Sequence, residues 1–121
     1  MQFEDLDIWK RSARLSADLY KELKYLKDYG FKDQITRSGL SIRSNISEGC
    51  ERVSAKECIN FLNYAKGSCG ELRTQVMIGM EIDYINRDIG KGWLEETKAI
   101  SAMVGGLIRA KRNYLNNKGS K

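Results

Sequence analysis

Not one of the 121 residues is proline. Proline breaks helix interiors but serves turns well, and β-rich folds normally use several. A chain without it is free to run in long unbroken helices. Its stock of Leu, Ile, Ala, Glu, Lys and Arg favours that state further. The length fits a single domain with a core large enough to need no covalent staple.

Hydrophobic spacing divides the chain into four helices. Trp9, Ala13, Ser16, Tyr20, Leu23 and Leu26, with Leu19 beside them, recur at steps of three and four and predict a first helix over about 7–27. Glu4, Asp5 and Asp7 at its start suit the helix dipole, and Gly30 fits a stop. Ile35, Gly39, Ile42 and Ile46 predict a second helix over about 32–48, ended by Gly49. The run Ser54-Ala55-Lys56-Glu57 has the form of a capping box and opens a third helix reaching about 82. Trp93, Thr97, Ile100, Val104, Leu107 and Tyr114 predict a fourth over about 88–115, with a bend or tight contact at Gly105-Gly106. Residues 116–121 read as a disordered tail. The expectation is an all-α fold, an antiparallel up-down-up-down four-helix bundle formed by residues 1–115.

The third helix carries two adjacent seams. One reads Cys58, Leu62, Ala65, Cys69, Leu72, Val76; the other reads Glu57, Phe61, Tyr64, Ser68, Glu71, Ile78, Ile82. A bundle helix needs one apolar face, so the second seam predicts contact with another subunit. Gly67 and Gly70 sit mid-helix around Ser68. Each interior glycine costs roughly 0.5–1 kcal/mol relative to alanine, and close approach of a second helix would offset that.

The chain contains no histidine. That removes the usual general base, the His-dependent triads and most zinc sites. Cys50, Cys58 and Cys69 have no metal-knuckle spacing, and an odd count without a C-x-x-C motif or a signal peptide indicates free thiols in the cytoplasm. No stretch is long and apolar enough for a membrane span. No catalytic residue, metal or cofactor is expected. Of Glu48, Glu51, Glu57 and Glu71, the last is expected to pair with Arg37, Arg43, Arg52 or Arg73 rather than to catalyse.

Charge is uneven. Residues 1–83 hold 13 Lys/Arg and 13 Asp/Glu, whereas residues 84–121 hold 8 and 3, so the whole net charge of +5 comes from the end of the chain. Arg109, Lys111, Arg112, Lys118 and Lys121, with no acid among them, are its densest part, a pattern that attracts phosphates. The run over 37–49 is unusually rich in Ser, Asn and Gly for a helix, and Ser41, Asn45 and Glu48 share one face. Arg37 and Arg43 with interleaved hydroxyls are candidate phosphate contacts.

The segment Ser41-Ile42-Arg43-Ser44-Asn45-Ile46-Ser47-Glu48-Gly49 is followed by Arg52, Ser54, Glu57 and Phe61, then by Ala65-Lys66-Gly67-Ser68-Cys69-Gly70-Glu71-Leu72. Together with Phe3, Leu6 and Trp9 at the start and Asp83-Tyr84-Ile85 before the fourth helix, these residues resemble the bacterial four-helix-bundle family first named for proteins encoded in intervening sequences of 23S rRNA genes. The resemblance implies a homopentamer with a central channel. It also implies a link to nucleic acid, since a relative in fold is the accessory protein of diversity-generating retroelements. It brings no catalytic residues. Asn45, Glu48, Gly49, Glu57, Gly67, Ser68 and Glu71 fit structural and interface positions in that family, and Ser41, Phe61 and Gly70 join them here. The functional expectation is a non-enzymatic oligomeric module contacting RNA or DNA through Arg37, Arg43, Arg52, Arg109, Lys111 and Arg112. The alternative is a protein-interaction scaffold.

Overall fold

The computed structural model describes residues 6–119. Phe3, Glu4 and Asp5, and Ser120 and Lys121, lie outside the described residues. Four helices follow in order: α1 (Asp7–Glu22), α2 (Tyr29–Glu51), α3 (Ala55–Glu81) and α4 (Arg87–Gly119). Consecutive helices pack antiparallel, as expected for the bundle. α3 is the most central, lying extensively on both α2 and α4, while α1 leans on α2 and touches α4 least.

The α3 seam is buried as predicted. Leu62, Ala65, Leu72 and Val76 are fully inaccessible, and Cys58 and Cys69 lie with them. Against it pack Ile35, Ile42 and Ile46 of α2 and Trp93, Thr97, Ile100 and Val104 of α4. On α4 the stripe ends in Ile108; Leu107 is half-buried and Tyr114 exposed.

The predicted stripe of α1 holds in part: Ser16, Leu19 and, just past the helix, Leu23 face the core, but Ile8, Ser12 and Leu15 join them in place of Trp9 and Ala13, and Tyr20 is exposed. The rings with polar handles stay at the rim: half-buried Trp9 donates its indole N–H to Ser47 Oγ at 2.8 Å. The purely aliphatic residues take the interior.

Two glycines expected to stop helices do not. α1 ends at Glu22, and Gly30 lies in the first turn of α2. The signal that wins is Asp28, whose carboxylate accepts the Phe31 backbone N–H at 3.1 Å and caps α2. Gly49 sits inside the last turns of α2, which runs on to Glu51. A Cβ there would lie 3.2 Å from the Cys58 carbonyl oxygen and 3.4 Å from Phe61 Cβ. The glycine therefore lets α2 and the start of α3 close on each other. Ser54 caps α3 as predicted, accepting the Glu57 N–H at 3.4 Å.

The turn before α4 uses Asp83 at φ 62°, a left-handed conformation that Asp tolerates. Asn86 then caps α4, accepting from the Asp88 and Ile89 amides at 2.9 and 3.2 Å. α4 passes through Gly105-Gly106 without interruption. Among the described residues, and apart from α4's own backbone, the atoms near Cβ positions there are side-chain tips of Arg109 and Lys66, at 3.6–3.7 Å, and no backbone of another helix comes as close. The helix also continues past Leu115, because Asn116 and Asn117 are weak formers and not breakers.

Asp28 also accepts the Tyr84 hydroxyl at 2.9 Å, tying the start of α2 to the α3–α4 turn. The Phe31 amide and then the Tyr84 hydroxyl hold its carboxyl below the ordinary value of 3.8. A depressed folded-state value means the stabilisation is complete above pH 3.8 and fades as pH falls through the lower folded-state value. Asp28→Ala is therefore expected to lower the thermal midpoint at pH 7. The gap between variant and wild type should narrow in acid below pH 3.8, as followed by circular dichroism.

Candidate nucleic-acid interface

The polar run on α2 lies mostly along the α2–α3 seam. Ser41 and Ser68 hydroxyls share a hydrogen bond of 2.8 Å, and Asn45 Nδ2 donates to the Ser41 carbonyl at 2.9 Å and to its hydroxyl at 3.0 Å. Ser41, Asn45 and Ser68 thus satisfy each other between two helices, a structural use of the signature residues. Beside them opens a groove of about 400 Å³ between α2 and α3, lined by Gln34, Arg37, Ser38, Ser41, Glu71 and Gln75. Glu71 makes none of the ion pairs seen among the described residues, although Arg37 lines the same groove. Gln75 Oε1 is buried with no donor among the described residues.

The six candidate cations fall on different faces. Arg37 is exposed in the α2–α3 groove. Arg43 lies on the α1–α2 side, its guanidinium 5.6 Å from the Trp9 ring centre. Arg52 is engaged locally: it bonds Glu48 at 2.8 Å, approaches Glu57 at 3.9 Å and lies 4.7 Å over the Phe61 ring. Phe61 in turn meets Tyr64 edge-on at 5.8 Å. Arg52 and Lys111 converge at one end of the bundle, lining a cavity of about 450 Å³ with Val53, Cys58, Leu107 and Tyr114. Arg109 lies against the Gly105-Gly106 surface of α4, where Lys66 of α3 also reaches. Arg112 is exposed further along the same helix. The structure brings together Arg52 with Lys111 and Arg109 with Lys66; Arg37 and Arg43 stand apart.

Lys66 escaped the sequence reading because its run matched a structural motif. A second omission is the Lys/Tyr alternation over 20–32, visible in the sequence as Tyr20, Lys21, Lys24, Tyr25, Lys27, Tyr29 and Lys32 but read as a helix end.

The thiols offer no ready nucleophile. Burial pushes Cys69 up to about 11 and raises Cys50 and Cys58 as well. Cys58 and Cys69 are buried in the core and Cys50 is half-buried. Among the described residues no helix is long and apolar enough to cross a membrane.

Residues 4–106 match the family of 23S rRNA-intervening sequence proteins. The chain belongs to that family. The expectation drawn from the signature runs is met: the runs at 41–49 and 65–72 lie within the matched residues, while Phe3 stands just before them. Arg109, Lys111 and Arg112 lie beyond them. The chain is also similar to a solved structure described as a protein with unknown function from the S23 ribosomal protein family of Bacteroides thetaiotaomicron. That likeness has a TM-score of 0.78 at 26% identity, over 84% of this chain and 97% of that one. No curated protein matches.

Proposed function

We propose that this member of the family is a non-enzymatic cytoplasmic module that assembles with copies of itself and holds nucleic acid through basic surface residues. The observation that carries the reading is the outward face of α3. Tyr64 is 61% exposed and Met77, Ile78 and Ile82 about half exposed, far more than their side chains favour. Gly67 and Gly70 open on empty space: among the described residues, and apart from the adjoining residues and the helix's own backbone, nothing lies within 4 Å of a Cβ at either position. Apolar exposure of this kind marks contact surfaces. Among the described residues no close approach offsets the helix-propensity penalty of these two interior glycines, and a second copy would supply one. Five copies is the number implied by the family resemblance.

Nucleic acid is the favoured partner because the net charge of +5 arises entirely after residue 83, and because Arg52 and Lys111 meet at one end. Assembly would repeat that end and let modest contacts act together. A protein scaffold is the second reading, favoured by the engagement of Arg52 with Glu48 and of Arg43 with Trp9.

Light scattering should give a mass several times 13.8 kDa, reduced by Gly67→Leu and Gly70→Leu. A wild-type mass of one chain overturns assembly. Affinity for RNA or DNA should fall with salt, with a logarithmic slope of about 0.7–0.9 per phosphate contacted, and should weaken in Arg52→Ala with Lys111→Ala. Salt-independent binding would favour the scaffold.

A further inference from the structure

We propose that the connection between α1 and α2 is a stacking platform for single-stranded nucleic acid, with Tyr25 and Tyr29 receiving unpaired bases and Lys24 and Lys32 the flanking phosphates. The proposal rests on the nucleic-acid reading above; it adds a contact at the end of the bundle opposite Arg52 and Lys111 and specifies the strand type. Tyr25 and Tyr29 are the most exposed rings among the described residues, at 85% and 66%, and Tyr20 is half exposed nearby. Each of the two has an ammonium over it: Lys24 Nζ lies 5.4 Å from the Tyr25 ring centre and Lys32 Nζ 5.0 Å from that of Tyr29. Lys32 Nζ also donates to the Lys24 carbonyl at 3.4 Å. That contact joins the two pairs into one cluster at one end of the bundle.

The apolar neighbours point elsewhere. Leu23 is buried, Leu26 and Phe31 are half-buried, and Phe31 packs edge-on against Tyr84 at 5.2 Å. Aromatic faces and ammonium groups dominate what is left outside. Over residues 20–32 there are four lysines and two acids, Glu22 and Asp28. Asp28 already accepts the Phe31 amide and the Tyr84 hydroxyl, so its charge is partly satisfied within the fold. Exposed Asp33 follows on α2.

Every base has a flat face that stacks on an aromatic ring, and lysines track the backbone phosphates; this pairing recognises single strands with little regard to sequence. A duplex keeps those base faces stacked on each other. A protein partner would meet a surface rich in lysine, which interface cores exclude. A membrane would need exposed leucine, phenylalanine or tryptophan, and this tip turns its leucines and phenylalanine inward.

Fluorescence anisotropy of the full chain with a labelled oligo-dT strand, a duplex of equal length and phosphatidylserine vesicles tests the proposal. The strand should bind more tightly than the duplex. Tyr25→Ala and Tyr29→Ala should each weaken strand binding by about 5-fold to about 150-fold. Tyr25→Phe should retain it, because a phenyl ring still stacks. Lys24→Gln and Lys32→Gln should each reduce the salt slope by about 0.7. Circular dichroism should show all variants folded, since both rings are exposed. If the double tyrosine-to-alanine variant binds the strand like wild type while Arg52→Ala with Lys111→Ala loses it, the platform is overturned and the nucleic-acid reading stands. If wild type binds neither strand nor duplex at low salt, both fall. Vesicle binding that the tyrosine variants lose, without strand binding, overturns the platform in favour of a lipid surface.

Discussion

Leu72→Ala should destabilise the fold by about 2–5 kcal/mol, read as a shift in the urea midpoint. Leu72 is fully inaccessible on α3, the helix that lies on both α2 and α4. Truncation removes buried methyl groups and leaves a cavity between three helices, and the neighbouring side chains close it only in part. Domains of this size are stable by only about 5–15 kcal/mol, so the loss is a large fraction of the total. A midpoint unchanged from wild type would mean that α3 is not the middle of the core.

The second large effect comes from adding one methyl group. Gly79→Ala should destabilise, because a Cβ at that position would lie 2.5 Å from Ile85 Cδ1, 2.9 Å from Ile85 Cγ1 and 3.1 Å from Phe31 Cζ. Ile85 is only 3% exposed and has little room to retreat. Overpacking of this kind costs about 1–3 kcal/mol, and the better helix propensity of alanine offsets at most about 1 kcal/mol of it. Gly92→Ala supplies the opposite sign. Among the described residues, and apart from the adjoining residues and the helix's own backbone, nothing lies within 4 Å of a Cβ at Gly92, so the propensity gain decides and the thermal midpoint should rise. Thermal unfolding of the two variants side by side separates packing from propensity; a rise for Gly79→Ala would remove the close approach of Ile85.

Helix count, helix order and the α3 seam were legible because long spacing patterns average over many residues. Ser54 was legible because the capping sequence is local. The register of α1 was legible only in part: Ser16, Leu19 and Leu23 turn inward as their spacing predicts, but Ile8 takes the place beside them while the Trp9 ring nitrogen finds Ser47 on another helix. Glycine was ambiguous for the same reason. Gly30 and Gly49 have the composition of stops, yet one is overruled by the Asp28 cap and the other admits Cys58 and Phe61 of α3. Residue counts likewise located the excess charge along the chain but not around it. Arg43 settles over the Trp9 ring and Arg52 over the Phe61 ring, neither of which the sequence alone brings near them. The lysine–tyrosine alternation before α2 was in plain view, but its meaning depends on Leu23 and Phe31 turning inward while Tyr25 and Tyr29 stay out.

Every extensive helix-on-helix surface in this bundle joins neighbours along the chain; only the sparse edge between α1 and α4 joins its two ends. That edge carries a two-pronged clasp, in which Arg11 grips both carboxylate oxygens of Glu96. Bringing distant segments together is what slows assembly of a fold, and here most of the helix-on-helix surface does not depend on that closure. Such a chain is suited to build itself in the order in which it is synthesised, hairpin upon hairpin, and to fasten its first helix to its last only when the rest is in place.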